Sequence, residues 1–396
     1  MGYINFEEEK AVVNEQLSNR KKNNEIFYKD ATTKKIELND YDNNSKYSYN
    51  KIKDKLIGKD GIFDEQDFYE IVEQDIICAK FRKCDFKNIK FKDCTFIGCT
   101  FNDCNFSGGG VVFENCIFIK EGSEKRPSLN KKDNIGCSFY NCDIYAKFLN
   151  SDLSYCIFEK CKISNTSFEL TYLKSSIIIN SEIDMFEIID CDLSGFKISN
   201  TYIQDIMFDD KFTTKFDAKT FFDKIEPRVK DKNEYEGIYM TYKTLSEKFK
   251  ENNLNNNFGE YYYIGKCTQR KCVKFLPKIN SYIYWLACGY GERPWLCVLS
   301  SLVIMIIFAF IFLAVGIELD GQVIKYSLSN IGTWNLKQFI KDFNEVINLS
   351  VGMFGAVGFN NSKPTEVAYM VANIEMLVGI IMMGVGIGTL TRKVVR

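Results

Sequence analysis

Three groups of residues in this chain could do chemistry, each of a different kind. Fifteen cysteines could bind metal, carry redox equivalents or pair as disulfides. A carboxylate, Glu375, lies inside an otherwise apolar run, where an ionisable group is costly and marks either a site or a buried contact. A loop of small residues, Ala356-Val357-Gly358-Phe359-Asn360-Asn361, offers backbone carbonyls between two apolar runs. Histidine is absent. That removes Ser-His and Cys-His catalysis, imidazole metal ligands and the usual pH switch. Gly108-Gly109-Gly110 lacks the strand-to-helix setting and the Gly-Lys-Ser/Thr of a phosphate loop, and no nucleophile stands beside a base. The residues point away from an enzyme, and neither a catalytic nor a metal site nor a bound cofactor is expected.

The loop must be positioned by the runs around it. Trp295 to Ile317 carries no charge, and Val367 to Leu390 carries only Glu375 before ending in Thr391-Arg392-Lys393 and Arg396. Each exceeds or matches the ~20 residues that cross a ~30 Å hydrocarbon core as a helix. Lysine and arginine mark the cytoplasmic side, and Lys266, Arg270, Lys271, Lys274 and Lys278 precede the first run. The expectation is a two-span protein of the cell membrane with both termini cytoplasmic. Between the spans, Leu336, Phe339, Ile340, Phe343, Val346, Ile347 and Val351 recur at helical spacing in a stretch too short and too polar to cross. Beyond it the backbone passes through Gly355, Ala356 and Gly358, and irregular backbone at membrane depth needs protein or water around it. A re-entrant loop lining a pore meets that need.

The string NLSVGMFGAVGFNNSKPTE, Asn348 to Glu366, resembles the pore-loop pattern YFSVVTLTTVGYGDIVPTT of tetrameric potassium-type channels. Ser350, Val351, Val357, Gly358, Pro364 and Thr365 match, Phe359 replaces an aromatic, and Glu375 to Gly379 follows the family's E-x-x-x-G. The resemblance implies a homotetramer in the lipid bilayer, with Ala356 to Asn361 as a selectivity filter whose carbonyls replace the water around K+ or Na+. It implies Val357 and Phe359 packing the filter wall, Ser350 and Glu375 supporting it, and Gly379 as a gating hinge. Contact between Glu375 and the ion is the other reading of that carboxylate. Gly384, Gly386 and Gly388 read as packing points for the first span. Three positions depart from the family: Ala356 stands for threonine, Asn360 for the second glycine and Asn361 for aspartate. Both ends of the filter are altered, so the expected selectivity is for potassium or is weak among monovalent cations.

Upstream, Phe81, Phe86, Phe91, Phe96, Phe101 and Phe106 recur every five residues, and the phase resumes at Phe113, Phe118, Phe139 and Ile144, then from Phe148 through Phe158, Phe168, Ile178, Ile188 and Ile198 to Phe208. Neither a helix nor a flat strand produces that period. The pattern resembles the pentapeptide-repeat family, which implies a right-handed quadrilateral β-helix. Small residues two positions earlier, among them Cys84, Cys94, Cys99, Cys104, Cys116, Cys137, Cys142, Cys156, Cys161 and Cys191, would fill an inward slot as compact hydrophobes. A metal or redox ladder is disfavoured, because C-x-x-C spacing is absent from the sequence. Roughly five to six coils stacked at ~4.8 Å would give a rod about 25 to 30 Å long.

The expected multidomain organisation is a polar N-terminal cap or tail over 1–75, the β-helix over 76–210, a cytoplasmic helical hairpin linker over 211–276, an interfacial helix over 277–294, and an all-α two-span pore domain over 295–396. Within the first segment the charge pattern predicts helix around Glu7 to Lys22 and loose chain through Asn39 to Asn50. The opening residues show neither a signal peptide nor a lipidation motif, so the thiols are expected to be cytoplasmic and reduced. Net charge is −1, and no nucleic acid partner is expected. The function these features imply is a tetrameric cation channel whose cytoplasmic pentapeptide domain serves assembly or regulation and could meet a protein partner. The alternative is a membrane-anchored interaction or scaffold protein of the DNA-mimic type without conduction. Lys80, Arg82, Lys83, Lys87, Lys90 and Lys92 oppose the acidic face such mimicry needs.

Overall fold

A residue that recurs every five positions can point inward each time only if the backbone turns a corner between repeats. The computed structural model, which describes residues 3–34, 38, 40–61, 68–106, 108, 110–121, 134–326, 335–358 and 362–395, makes that corner with left-handed backbone two residues after most central side chains. Lys83, Asn88, Asp93, Gly98 and Asp103 follow Phe81, Phe86, Phe91, Phe96 and Phe101 with φ of 51°, 45°, 53°, 60° and 53°. Asn, Asp and Gly adopt these angles at least cost, which explains their frequency at this step of the repeat. Two units result, Met1–Cys272 and Val273–Arg396.

In the first unit, strands of successive coils pair in parallel and in register. Among the described residues, one face stacks eight strands, from Lys51–Lys53 through Lys80–Arg82 and Thr100–Asn102 to Phe221–Phe222. The eight strands make about seven turns, more than the five to six expected. The ladder also runs past the phenylalanine repeat at both ends, because Ile52 and Phe222 continue the inward column. Inward rings stack face to face at the strand spacing: 5.0 Å for Phe81 on Phe101, 4.6 Å for Phe101 on Phe139, 4.8 Å for Phe139 on Phe158. The interior is densely aromatic, and its burial is the main stabilising term.

The N-terminal segment is no solvated tail. Helix α1, Phe6–Thr32, buries Phe6, Val13, Leu17, Phe27 and Ala31 against the first unit, the last two among Ile77, Cys78, Ile97 and Ile135. It starts at the last coil, where Phe6 meets Phe221 at 5.6 Å and Lys197 reaches Glu9 at 2.9 Å. It then runs backward over earlier coils: Arg20 donates to the Ser175 carbonyl, Lys21 pairs with Glu159, Asn24 donates to the Gly136 carbonyl at 3.0 Å, and Lys80 lies 3.4 Å over the Tyr28 ring. Gly98 is required where α1 lands, since a Cβ there would stand 2.8 Å from the Phe27 ring. The expected loose stretch includes Tyr49 at the same left-handed step, and the strand Lys51–Lys53 and Asp54 follow it, so coiling begins before Ile76.

The far end of the solenoid is closed by an antiparallel hairpin, α2 (Lys232–Glu251) and α3 (Asn255–Cys272). An uncovered last strand would expose unpaired backbone groups. Tyr261 prevents this: its hydroxyl accepts from the Phe222 N–H at 2.8 Å and donates to the Phe222 carbonyl at 2.7 Å. Tyr242 likewise accepts from the Ile225 N–H at 2.7 Å, and Phe249 stacks on Tyr261 at 4.8 Å. The segment read as a linker is therefore a cap.

The second unit holds helices α4 (Phe275–Cys288), α5 (Pro294–Val315), α6 (Leu336–Phe354) and α7 (Tyr369–Val395). Two stretches, Pro294–Val315 and Glu366–Val394, are long and apolar enough to cross a membrane. Gly289, Tyr290 and Gly291 all take positive φ and make the elbow between α4 and α5. A three-stranded antiparallel sheet, Gln322–Ile324 on Ile317–Leu319 on Ser362–Pro364, ties the C-terminal end of α5 to the start of α7.

Candidate functional site

The candidate site lies where α6 ends. Asn335 caps α6, its side chain accepting from the Lys337 and Gln338 N–H groups; of the apolar stripe seen in the sequence, Phe339, Phe343, Val346 and Ile347 pack with α5 and α7, while Leu336, Ile340 and Val351 are exposed in the single chain. Near the other end Ser350, fully buried, donates to the Met305 carbonyl at 2.9 Å and hydrogen-bonds the Glu375 carboxylate. Met305 and Glu375 lie well inside α5 and α7, so the end of α6 meets both long helices away from their termini. Four residues on, the Phe354 carbonyl touches α7 at Gly379, where a Cβ would stand 2.0 Å from that oxygen.

From there the chain doubles back. The Gly352 carbonyl accepts from the Val357 N–H at 3.0 Å and the Gly358 N–H at 3.3 Å, closing a tight turn in which Ala356 and Gly358 take φ of 53° and 95°. By Ser362–Pro364 the backbone is at the C-terminal end of α5 again, and Thr365 donates to the Gly316 carbonyl at 2.9 Å. The chain thus descends on α6, turns among small residues, and returns to the end it left.

The structure brings Ser350, Glu375 and Gly379 together with Ala356, Val357 and Gly358 at the end of α6; Phe359, Asn360 and Asn361 lie outside the described residues. Val357, expected to pack a wall, is 88% exposed in the single chain. Glycine is needed at position 379 for contact with α6, whereas Gly384 and Gly388, read as packing points, have no neighbour within 4 Å of an added Cβ. Glu292, which the sequence did not single out, is fully buried at the α4–α5 elbow and binds Arg392 at 2.9 Å, with Lys393 at 3.9 Å. A buried carboxylate needs such partners, and a lone acidic residue between Gly291 and Pro294 facing a basic C-terminal end was the available signal.

The cysteines do more than fill space. In most inward slots the thiol donates to a carbonyl of the preceding coil: Cys99 to Ile76 at 3.1 Å, Cys94 to Ile71 at 3.3 Å, Cys137 to Phe96 at 3.3 Å. Ser151 and Thr171 do the same to Phe113 and Phe148, at 3.3 and 3.1 Å. Burial pushes the Cys78 and Cys191 thiols up to about 12, keeping them protonated and unreactive.

Fold and site define a β-solenoid of about seven turns followed by a mainly helical region with two apolar helices and a small three-stranded sheet. Residues 81–123 match the family model described as pentapeptide repeats (9 copies), so this stretch of the solenoid is similar to that family. Among solved structures it is similar to a trypsin-treated form of QnrB1, a plasmid-mediated fluoroquinolone resistance protein, at 18% identity over 44% of this chain and 77% of that one, TM-score 0.19. It is also similar to HetL, a pentapeptide repeat protein involved in heterocyst differentiation regulation from the cyanobacterium Nostoc, at 8% identity over 45% and 89% of the two chains, TM-score 0.18. None of the curated proteins matches.

Proposed function

We propose that the chain is one subunit of a homotetrameric channel that conducts monovalent cations across the cell membrane, with its solenoid in the cytoplasm as an assembly or regulatory element. The observation that carries this reading is the path of α6. A helix that meets two apolar helices part-way along their length, and a chain that then returns to its side of entry, leave irregular backbone at membrane depth, which is stable only beside protein or water. A water-lined axis shared by several copies supplies both. The C-terminal end of α6 carries partial negative charge toward the turn and favours a cation there. Val357, open in the single chain, would be covered by neighbouring copies around such an axis. With Ala356 in place of a hydroxyl-bearing residue, the innermost ion position has carbonyls but no side-chain oxygen, so selectivity between potassium and sodium is modest.

The test is a reversal-potential measurement on purified protein in planar bilayers under opposed potassium and sodium gradients. A cation current that excludes chloride is the expected result. Folded protein that inserts but passes no current, and that runs as a monomer in detergent, would overturn the reading in favour of a membrane-anchored scaffold.

A further inference from the structure

Between α2 and α3, on the hairpin that closes the solenoid, lies a cavity of about 270 Å³ whose walls include Tyr239, Lys243, Lys250, Phe258, Tyr262 and Lys266. Its floor is set by Gly265, where a Cβ would come 3.2 Å from the Tyr242 Cβ and force the helices apart. The charge on this lining is unbalanced. Lys248, on the same helix but facing the solenoid, is held by Asp210 at 2.8 Å and Glu251 at 2.7 Å. No ion pair among the described residues takes up Lys243, Lys250 or Lys266, and Glu247 is the carboxylate that shares the lining with them. The Lys266 ammonium donates to the Gln269 side-chain carbonyl at 3.0 Å and lies 5.8 and 5.6 Å from the Tyr239 and Tyr262 rings. Burial and the neighbouring Lys243 charge lower its proton affinity, the direction expected of cations that face one another without a counter-ion.

A cavity that combines converging lysines with aromatic rings suits a ligand with an anionic end and a flat aromatic body. Lysine serves phosphate as a point charge, and tyrosine or phenylalanine rings stack on a nucleobase whatever its identity. The volume lies just below the range of ligand pockets, which run from about 300 Å³ upward, so the ligand is limited to a mononucleotide with one phosphate and a dinucleotide does not fit. We propose that this cavity binds a nucleoside monophosphate, its phosphate on Lys243 and Lys266 and its base against the aromatic side chains, so that the ligand bridges α2 and α3. The proposal stands apart from conduction, because both helices belong to the Met1–Cys272 unit.

Isothermal titration of the full chain in detergent with AMP, GMP, CMP, adenosine and inorganic phosphate tests it. At least one monophosphate binds saturably, with adenosine and phosphate at least tenfold weaker. The double change Lys243→Gln with Lys266→Gln weakens binding at least tenfold, whereas Lys147→Gln on the solenoid leaves it unchanged. As a measurement independent of any variant, photo-crosslinking with an azido-AMP labels peptides within residues 235–270. Absence of saturable monophosphate binding up to millimolar concentration, phosphate binding as tight as AMP, unchanged affinity in a folded double variant, or labelling elsewhere in the chain would each overturn it.

Discussion

At Gly379 the backbone of α7 meets the Phe354 carbonyl with no room for a methyl group, and the helix is unbroken there. Gly379→Ala should therefore lower stability by about 1–3 kcal/mol, the usual cost of overpacking, and Gly384→Ala, which meets nothing, should cost far less. Thermal denaturation in detergent reads the difference; equal melting temperatures would remove the contact as the reason for glycine. The sequence assigns these residues the opposite roles, since a glycine in a helix tells that a side chain is missing but not what stands in its place. The cysteines teach a related lesson. Their inward direction is legible from the period of five, because direction follows from spacing. Their carbonyl partners are not, because a hydrogen bond to the previous coil depends on how tightly coils stack, and only the shared occupancy of the slot by Cys, Ser and Thr hints that a donor is wanted there.

Among elements, α1 is the one whose role the sequence conceals most. The residues it turns toward the solenoid, Phe6, Lys10, Val13, Leu17, Arg20, Asn24, Phe27 and Ala31, alternate three and four apart as in a heptad, yet Lys10, Arg20 and Asn24 break the apolar stripe. Those three engage Asp223, the Ser175 carbonyl and the Gly136 carbonyl, partners that no periodicity search weighs. Burial lowers the Arg20 guanidinium to about 10, still charged at neutral pH while its hydrogen bond to Ser175 compensates. Leu17→Ala should cost about 2–5 kcal/mol, as for buried leucines elsewhere, and hydrogen exchange should report faster opening of the strands beneath α1. Loss of α1 protection alone, with those strands unaffected, would mean that the helix only rests on the solenoid. By contrast α6 and the α2–α3 hairpin are legible because their buried faces are mainly apolar, with few polar residues such as Asp342, Ser350 and Thr241 among them, and the turn after α6 is legible only in part, since small residues predict an irregular path without its direction.

For the molecule as a whole, burial sorts the fifteen cysteines into one partly exposed thiol, Cys267, and others enclosed in one or the other unit. Brief alkylation of the native protein should add a single label, found on Cys267, and fifteen after denaturation, counted by intact mass. Native labelling within 78–191 would show that the solenoid opens locally. The strut on the solenoid sets a further condition at this scale. Seven residues of helix rise about 10.5 Å, close to the ~9.6 Å of two stacked coils, so the inward positions of α1 recur nearly in step with alternate coils. A relative of this protein that gains or loses a single coil must lengthen or shorten the helix by about three or four residues to keep its inward positions over the coils. Length variants should therefore change both together, about twenty residues of coil with about half a heptad of helix, which makes α1 a gauge of how long such a rod can be.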